Sequence, residues 1–253
     1  MLERFKVPKE DEVRVSHDAL NETVSTIFEK MGVSSDDAAL GAEVLVATDL
    51  RGVETHGVSN MLRSYVEGYT QGTLNPRPDM KVVRETPSTA NVDADKGLAV
   101  ILGPKAMQMA IDKARNVGVG VVTMSNAGHS GAIGHHAMLA AKQDMVGMTA
   151  TSGGLLVVPT YGAEPRLGTN PIAIAAPAKS EPALLFDAAT SAVAGNKLRL
   201  AERVGADMLP GWIAGLDGDP VMDEVKLPDR GQYFQLPLGG TRAQGSHKGY
   251  GFG

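Results

Sequence analysis

A change of period near residue 75 constrains this chain more than any other feature. Before it, apolar residues recur at spacings of three and four, the mark of helices with one buried face; after it they come in short β-prone runs between turn residues. Ser16 can cap a first helix carrying Leu20, Val24, Ile27, Phe28 and Met31, ended by Gly32. Ser35, with Asp36 and Asp37, opens a second that carries Leu40, Val44 and Leu45. A third is expected after Gly57, using Met61, Leu62, Tyr65 and Val66 and stopping near Gly68. Asn75-Pro76-Arg77-Pro78 then breaks the pattern. The expectation is a helical domain over residues 1–78 and a mixed α/β domain over residues 79–253.

In that second part Val82-Val83, Val92, Val100–Leu102, Val119–Met124, Met145–Ala150, Ile172–Ala176 and Ala183–Phe186 read as strands. Gly103-Pro104 puts Pro at the first position of a helix with Met107, Ala110, Ile111 and Ala114. Another helix should start near Ser130 and run to about Asp144, and a third should follow Thr190 with Val193, Leu198 and Leu200. Pro210 to Arg230, rich in Pro, Gly and Asp, reads as a surface excursion.

Composition narrows the chemistry. The chain contains no cysteine, so thiolate nucleophiles, disulfides and sulfur-ligated metals are excluded. A net charge of −5 leaves no basic excess for a phosphate backbone, so nucleic acid is not an expected partner. No signal-like apolar segment opens the chain and no run is long enough to span a membrane, so a cytoplasmic location is expected. Gly is frequent, 30 of 253 residues, and clusters beside histidines and near the C-terminus, where tight backbone turns would surround a site.

His129 lies between Gly128 and Gly131 at the mouth of a predicted helix, whose dipole would lower the imidazole pKa and suit acid–base work. Alone, it fits a helix cap or polar turn as well. Arg51-Gly52-Val53-Glu54-Thr55-His56-Gly57 joins two predicted helices and gathers a guanidinium, a carboxylate, a hydroxyl and an imidazole. Asp187 ends a predicted buried strand, where it can orient a histidine, bind a ligand or cap a helix. Gly168-Thr169-Asn170-Pro171 is a turn suited to an anion, and Lys248 stands among glycines where it can meet a phosphate or carboxylate. Gly118-Val119-Gly120 does not continue into Gly-x-Gly-x-x-Gly, so a Rossmann fingerprint is missing. His129, His135 and His136 lack the spacing of a His-Glu-x-x-His site, and no metal is expected.

Taken in order, Asp49 through Val58, Asn126-Ala127-Gly128-His129, Gly168-Thr169-Asn170-Pro171, Asp187-Ala188-Ala189-Thr190-Ser191 and His247-Lys248-Gly249-Tyr250-Gly251 closely resemble the malate/L-lactate dehydrogenase family. That family includes ureidoglycolate, sulfolactate, diketogulonate and cyclic-imine reductases. The resemblance implies a non-Rossmann cofactor domain with a mostly antiparallel sheet flanked by helices, plus a helical second domain. It implies NAD or NADP as cofactor, a small 2-oxo/2-hydroxy acid as substrate, a site between domains, and a homodimer. By the same resemblance His129 is the acid–base residue, and Thr55, His56 and Asp187 complete the catalytic constellation. Gly168, Thr169, Asn170, Asp187, Ala188, Ala189, Thr190, His247, Lys248 and Gly249 would hold the cofactor.

The substrate carboxylate is expected near Arg51, Asn60 and Arg63. Family members often carry Arg where this chain has Asn60, and Arg63, one turn on, is the expected substitute. Members of the family also continue beyond the final motif, so a chain ending at Gly253 is expected to turn over weakly or not at all. The alternatives are a cyclic-imine reductase of the same family, a binding-only relative, and a metal-dependent hydrolase or lyase that chelators would silence.

Overall fold

Ser34 opens the core of the fold: its hydroxyl accepts the Asp37 amide (3.4 Å), capping α2 (Ser35–Leu50) one residue earlier than its sequence suggests. Asp36 and Asp37 complement the dipole at that end. α1 (His17–Lys30) follows Ser16, whose side chain makes no capping bond, and α3 (Val58–Thr70) runs slightly past Gly68. The computed structural model describes residues 3–253, and the chain divides into two compact units. One comprises Arg14–Thr149 and Ala173–Phe186; the other comprises the residues up to Val13, Ala150–Ile172 and Asp187–Gly253.

In the first unit Val24, Phe28, Val44, Leu45, Met61 and Tyr65 share one core with Leu98, Val100, Ile101 and Leu102. The break at residues 75–78 therefore falls inside one compact unit. It is held on both sides: the Asn75 amide donates to the Lys96 carbonyl (2.9 Å), the Asn75 side chain to Asp95 (2.8 Å), and Arg77 Nε to the Gly32 carbonyl (2.6 Å).

β1 (Lys81–Glu85) pairs antiparallel with β2 (Thr89–Asp93), and β2 pairs parallel with β3 (Val121–Ser125) across the crossover helix α4 (Ala99–Val117). Val100–Leu102, expected as a strand, is the first turn of α4. Its β-branched residues are buried in the helical core, and that packing overrides their intrinsic preference. Pro104, expected to start the helix, is consequently inside it, with no N–H to offer the Val100 carbonyl. Gly120 allows β3 to approach this helix, since a Cβ there would lie 1.8 Å from the Ala110 carbonyl oxygen.

α5 (Gly134–Ala141) starts later than the sequence suggests, because Gly131 (φ +67°) keeps the preceding segment out of the helical region. Its Ala137 and Ala141 pack with Ile133 on Ala173 and Ala175 of a three-stranded sheet ordered β4 (Gly147–Ala150), β5 (Ile172–Ala176), β6 (Leu184–Ala188). The alternate residue Ile174, with Met148, Leu184 and Phe186, remains exposed. The architecture is thus mixed α/β with small sheets, one of which contains a parallel pair.

The second unit contains α6 (Gly195–Val204), the short antiparallel pair β7 (Ile213–Ala214) and β8 (Phe234–Gln235), and α7 (Ser246–Phe252). Phe5 stacks on Trp212 (5.9 Å between centroids), and Arg4 makes a bidentate pair with Glu224 (both contacts 2.9 Å). Pro210–Arg230 is not a surface excursion: Trp212, Ile213, Val221, Val225 and Leu227 are interspersed among its turn residues and join the core around Leu198 and Met208. Among the described residues no helix is long and apolar enough to cross a membrane.

Candidate active site

The loop that carries His56 is closed by a carboxylate from the end of α2. Asp49 Oδ2 accepts the Val58 amide (2.9 Å) and so caps α3 from nine residues upstream. Burial pushes the Asp49 carboxyl above its usual value, against the lowering effect of that bond. Gly57 passes so close that an added Cβ would lie 1.7 Å from Asp49 Oδ1. Gly57→Ala should therefore expel Asp49 and cost about 1–2 kcal/mol for the lost cap. In an Asp49→Ala background the same change should cost much less, a non-additivity that a double-mutant cycle of urea midpoints will read.

Within this loop Thr55 is buried and its hydroxyl lies 2.8 Å from His56 Nδ1. The His56 ring stacks on His129, with centroids 5.6 Å apart and planes 14° from parallel. Residues 73 positions apart thus meet in one unit. His129 Nδ1 lies 2.8 Å from the Tyr65 hydroxyl and 3.3 Å from the Gly131 amide. His129 remains solvent-exposed as a residue although protein crowds its ring. Burial of the ring, then the neighbouring His56, lowers its pKa to about 4. The lowering has the direction expected from sequence but a different cause, since α5 begins only at Gly134.

His136 supports the same loop from α5, its Nε2–H donating to the Ser130 carbonyl (3.0 Å). Burial is the main cause that lowers both His135 and His136 to about 4. Tyr65, Asp49 and His136 carry the site's geometry, yet sequence reasoning gave none of them a functional role. The available signal for Tyr65 was its hydroxyl on an otherwise apolar helix face, a group that needs a partner when buried.

Other expected residues are placed less simply. Asn60 spends its amide N–H on the Glu54 carbonyl (2.7 Å), bracing the loop. Arg63 is exposed and, two residues from both Met61 and Tyr65, lies off the buried face of α3. Arg51 is exposed at the end of α2, and its charge helps to lower His135. Asp187 is exposed near the end of β6 and belongs to the other unit.

That second unit brings together three sequence-distant motifs. The Thr169 carbonyl accepts the Thr190 amide (2.8 Å) and hydroxyl (3.2 Å), and the Thr190 carbonyl accepts the Leu238 amide (2.8 Å). Gly249 packs against Leu238, where a Cβ would meet backbone at 2.4 Å. Asn170, at φ +32°, accepts the Gly153 amide (3.0 Å) and donates to the Gly253 carbonyl (3.1 Å). Gly168 is buried and Ala188 and Ala189 are half-buried, whereas His247 and Lys248 are exposed. Lys248 makes no ion pair among the described residues.

Comparison with known proteins gives the class. The family model described as malate/L-lactate dehydrogenase matches residues 15–253, and the chain belongs to that family. A malate dehydrogenase of Pyrococcus abyssi is 42% identical over 243 residues, covering 96% of this chain and 66% of that relative. The structure of malate dehydrogenase from Pyrococcus horikoshii OT3 superposes with a TM-score of 0.86 at 38% identity, over 97% of this chain and 66% of that one. The delta1-piperideine-2-carboxylate reductase structure from Pseudomonas syringae gives 0.83 at 28% identity, over 95% and 70%. The chain thus spans slightly less than two thirds of the length of these malate dehydrogenases.

Proposed function

We propose that this chain serves hydride transfer between NAD or NADP and a small 2-oxo/2-hydroxy acid. The carrying observation is the His56–His129 stack, with His129 anchored through Nδ1 and its Nε2 without a protein partner among the described residues. Malate, named in relatives on both sequence and structural comparison, is such a hydroxy acid.

The residues of the second unit suit a dinucleotide chemically. Lys248 is an exposed cation in a glycine-rich setting for phosphates, and Asp187 is an exposed carboxylate able to accept from a ribose hydroxyl. In the same unit Thr190 is hydrogen-bonded to Thr169, and Asn170 to Gly253 at the end of α7, the helix that carries Lys248. When bound, the reduced nicotinamide supplies a hydride to the carbonyl carbon.

As that bond forms, the C=O π pair moves to oxygen, which takes the Nε2 proton of a His129 imidazolium charged from solvent and leaves the neutral ring protonated at Nδ1. His56, steadied by Thr55, holds the His129 ring plane. A ring with pKa about 4 is uncharged at pH 7, so the proton has to be loaded. A 2-oxo acid carries a carboxylate, and an anion beside the ring favours imidazolium. Substrate binding then supplies the charge state that the reduction consumes. Of the cations expected to meet that carboxylate, Arg51 shares the loop segment of Thr55 and His56, and Arg63 lies away from the buried face.

The test is oxidation of NADH and NADPH by the purified chain with a panel of 2-oxo acids, including oxaloacetate and pyruvate. A slow, substrate-dependent loss of reduced-nicotinamide absorbance is expected. Cofactor binding without turnover of any 2-oxo acid would replace this reading with a binding-only one. Turnover confined to cyclic imines would favour the second reading, to which the piperideine carboxylate reductase structure gives support.

A further inference from the structure

The hydroxyl of Tyr65 sits in the helical core and has one hydrogen-bond partner among the described residues, His129 Nδ1 at 2.8 Å. A phenol lacks the option of turning its proton to water there, so the O–H points at the ring nitrogen. The Gly131 amide points at the same nitrogen from the other side of the turn, at 3.3 Å. Gly131 reaches that orientation at φ +67°, under Val100, whose Cγ2 would lie 2.9 Å from an added Cβ. Two N–H or O–H donors converging on one nitrogen require its lone pair to be free.

We propose that Tyr65 is the positioning residue that fixes His129 as the Nε2–H tautomer, so that the open edge of the ring presents a hydrogen-bond donor to a substrate carbonyl oxygen. The inference deepens the proposed reductase reading and rests on it for the identity of that oxygen. Its structural part, which nitrogen bears the proton, stands independently. The opposite tautomer would set an Nδ1–H against both donors and strand the Tyr65 proton in the core.

The same arrangement says how the ring resists charging. A hydrogen bond donated to the neutral imidazole disfavours imidazolium, which must carry a proton on Nδ1 as well. The titratable groups against the ring are His56, from the loop before α3, and Tyr65, from α3. Burial raises the Tyr65 phenol above its ordinary value, which keeps it a donor throughout the working range. Tyr65 therefore holds the resting site in the Nε2–H state; the arriving anion favours uptake of a solvent proton at Nδ1, which displaces the Tyr65 O–H, and loss of that proton after reduction restores the resting tautomer.

Nitrogen-15 NMR of histidine-labelled full chain tests this without any turnover, with the His129 signals assigned by their absence from His129→Gln. The expected result is a protonated Nε2 and a bare Nδ1 in the unsubstituted chain at pH 7. In Tyr65→Phe, which removes only an oxygen atom, a second tautomer should appear and the His129 titration should move to higher pH. If turnover is present, kcat should also fall more than the KM for reduced cofactor changes. A predominantly Nδ1-protonated His129 in the unsubstituted chain overturns the proposal, as does a folded Tyr65→Phe chain with unchanged tautomer and titration. Failure of the reductase assay alone leaves these spectra intact and overturns only the reading of the site as a reductase.

Discussion

His129→Ala is expected to lower 2-oxo acid reduction by about 10²–10⁴-fold, the usual contribution of a placed proton donor, while reduced cofactor still binds. Binding should persist because the residues assigned to the cofactor, Thr169, Asn170, Thr190 and Lys248 among them, belong to the other unit. The substitution also has a structural cost, because the Tyr65 hydroxyl loses its acceptor. Leaving a buried hydroxyl unsatisfied costs about 1–3 kcal/mol, enough to lower the melting temperature visibly. His129→Asn separates the two effects, since its amide oxygen lies where Nδ1 does and can accept from Tyr65, but its amide has no proton to transfer at neutral pH. Stability should then recover toward that of the unsubstituted chain while turnover stays low. Full turnover in the asparagine variant would remove His129 from the role of proton donor.

Acid should unfold the chain steeply between pH 6.5 and 4. His129, His135 and His136 are each lowered from 6.5 to about 4, so in that window the unfolded chain binds protons that the folded chain refuses. Stability from these groups is complete above pH 6.5, falls as pH drops through the window, and changes no further on their account below about 4.

Each fully counted histidine contributes a slope of about 1.4 kcal/mol per pH unit. His136, at 3% exposure, counts fully. Half-buried His135 counts largely, and solvent around His129 trims its share. A combined slope of about 3 kcal/mol per pH unit follows. Asp49 acts in the opposite sense: its raised carboxyl favours the folded state at low pH and loses that contribution as pH rises through its folded value. Urea midpoints at pH 7, 6 and 5 measure the balance, and His136→Gln should flatten the curve by about one proton. Equal midpoints at the three pH values would show that these rings charge freely in the fold.

The helices of the N-terminal part were readable because a single buried face imposes a period on the sequence, as Val24 and Phe28 show in α1. The same reasoning misplaced Val100–Leu102, where a short apolar run looks alike as strand and as buried helix. It also misjudged Pro210–Arg230, where turn residues are abundant but Trp212 and Ile213 decide burial.

In the site, glycine flanks marked His56 and His129, and the ordered motifs tied them to a family. Tyr65 was placed only by its period, which reports that a residue is buried and not what its polar atom meets. Its partner is 64 residues away in the chain, and no local pattern encodes that pairing. Asp49 shows the same limit at shorter range: as a cap it lies nine residues before the amide it satisfies, outside the window in which caps are recognised.

The parallel pairing of β2 with β3 has a kinetic consequence. A hairpin cannot join parallel strands, so β3 reaches β2 only across the α4 crossover, a non-local pairing that closes more slowly than local helix forms. His129 lies four residues beyond β3, and the helix bearing Tyr65 packs into the same core as the first turn of α4. During refolding the histidine stack should therefore appear late, after helical signal has largely recovered. In the native state, amides of the 126–133 segment should exchange through smaller openings than those of α4, leaving that loop less protected than the helix.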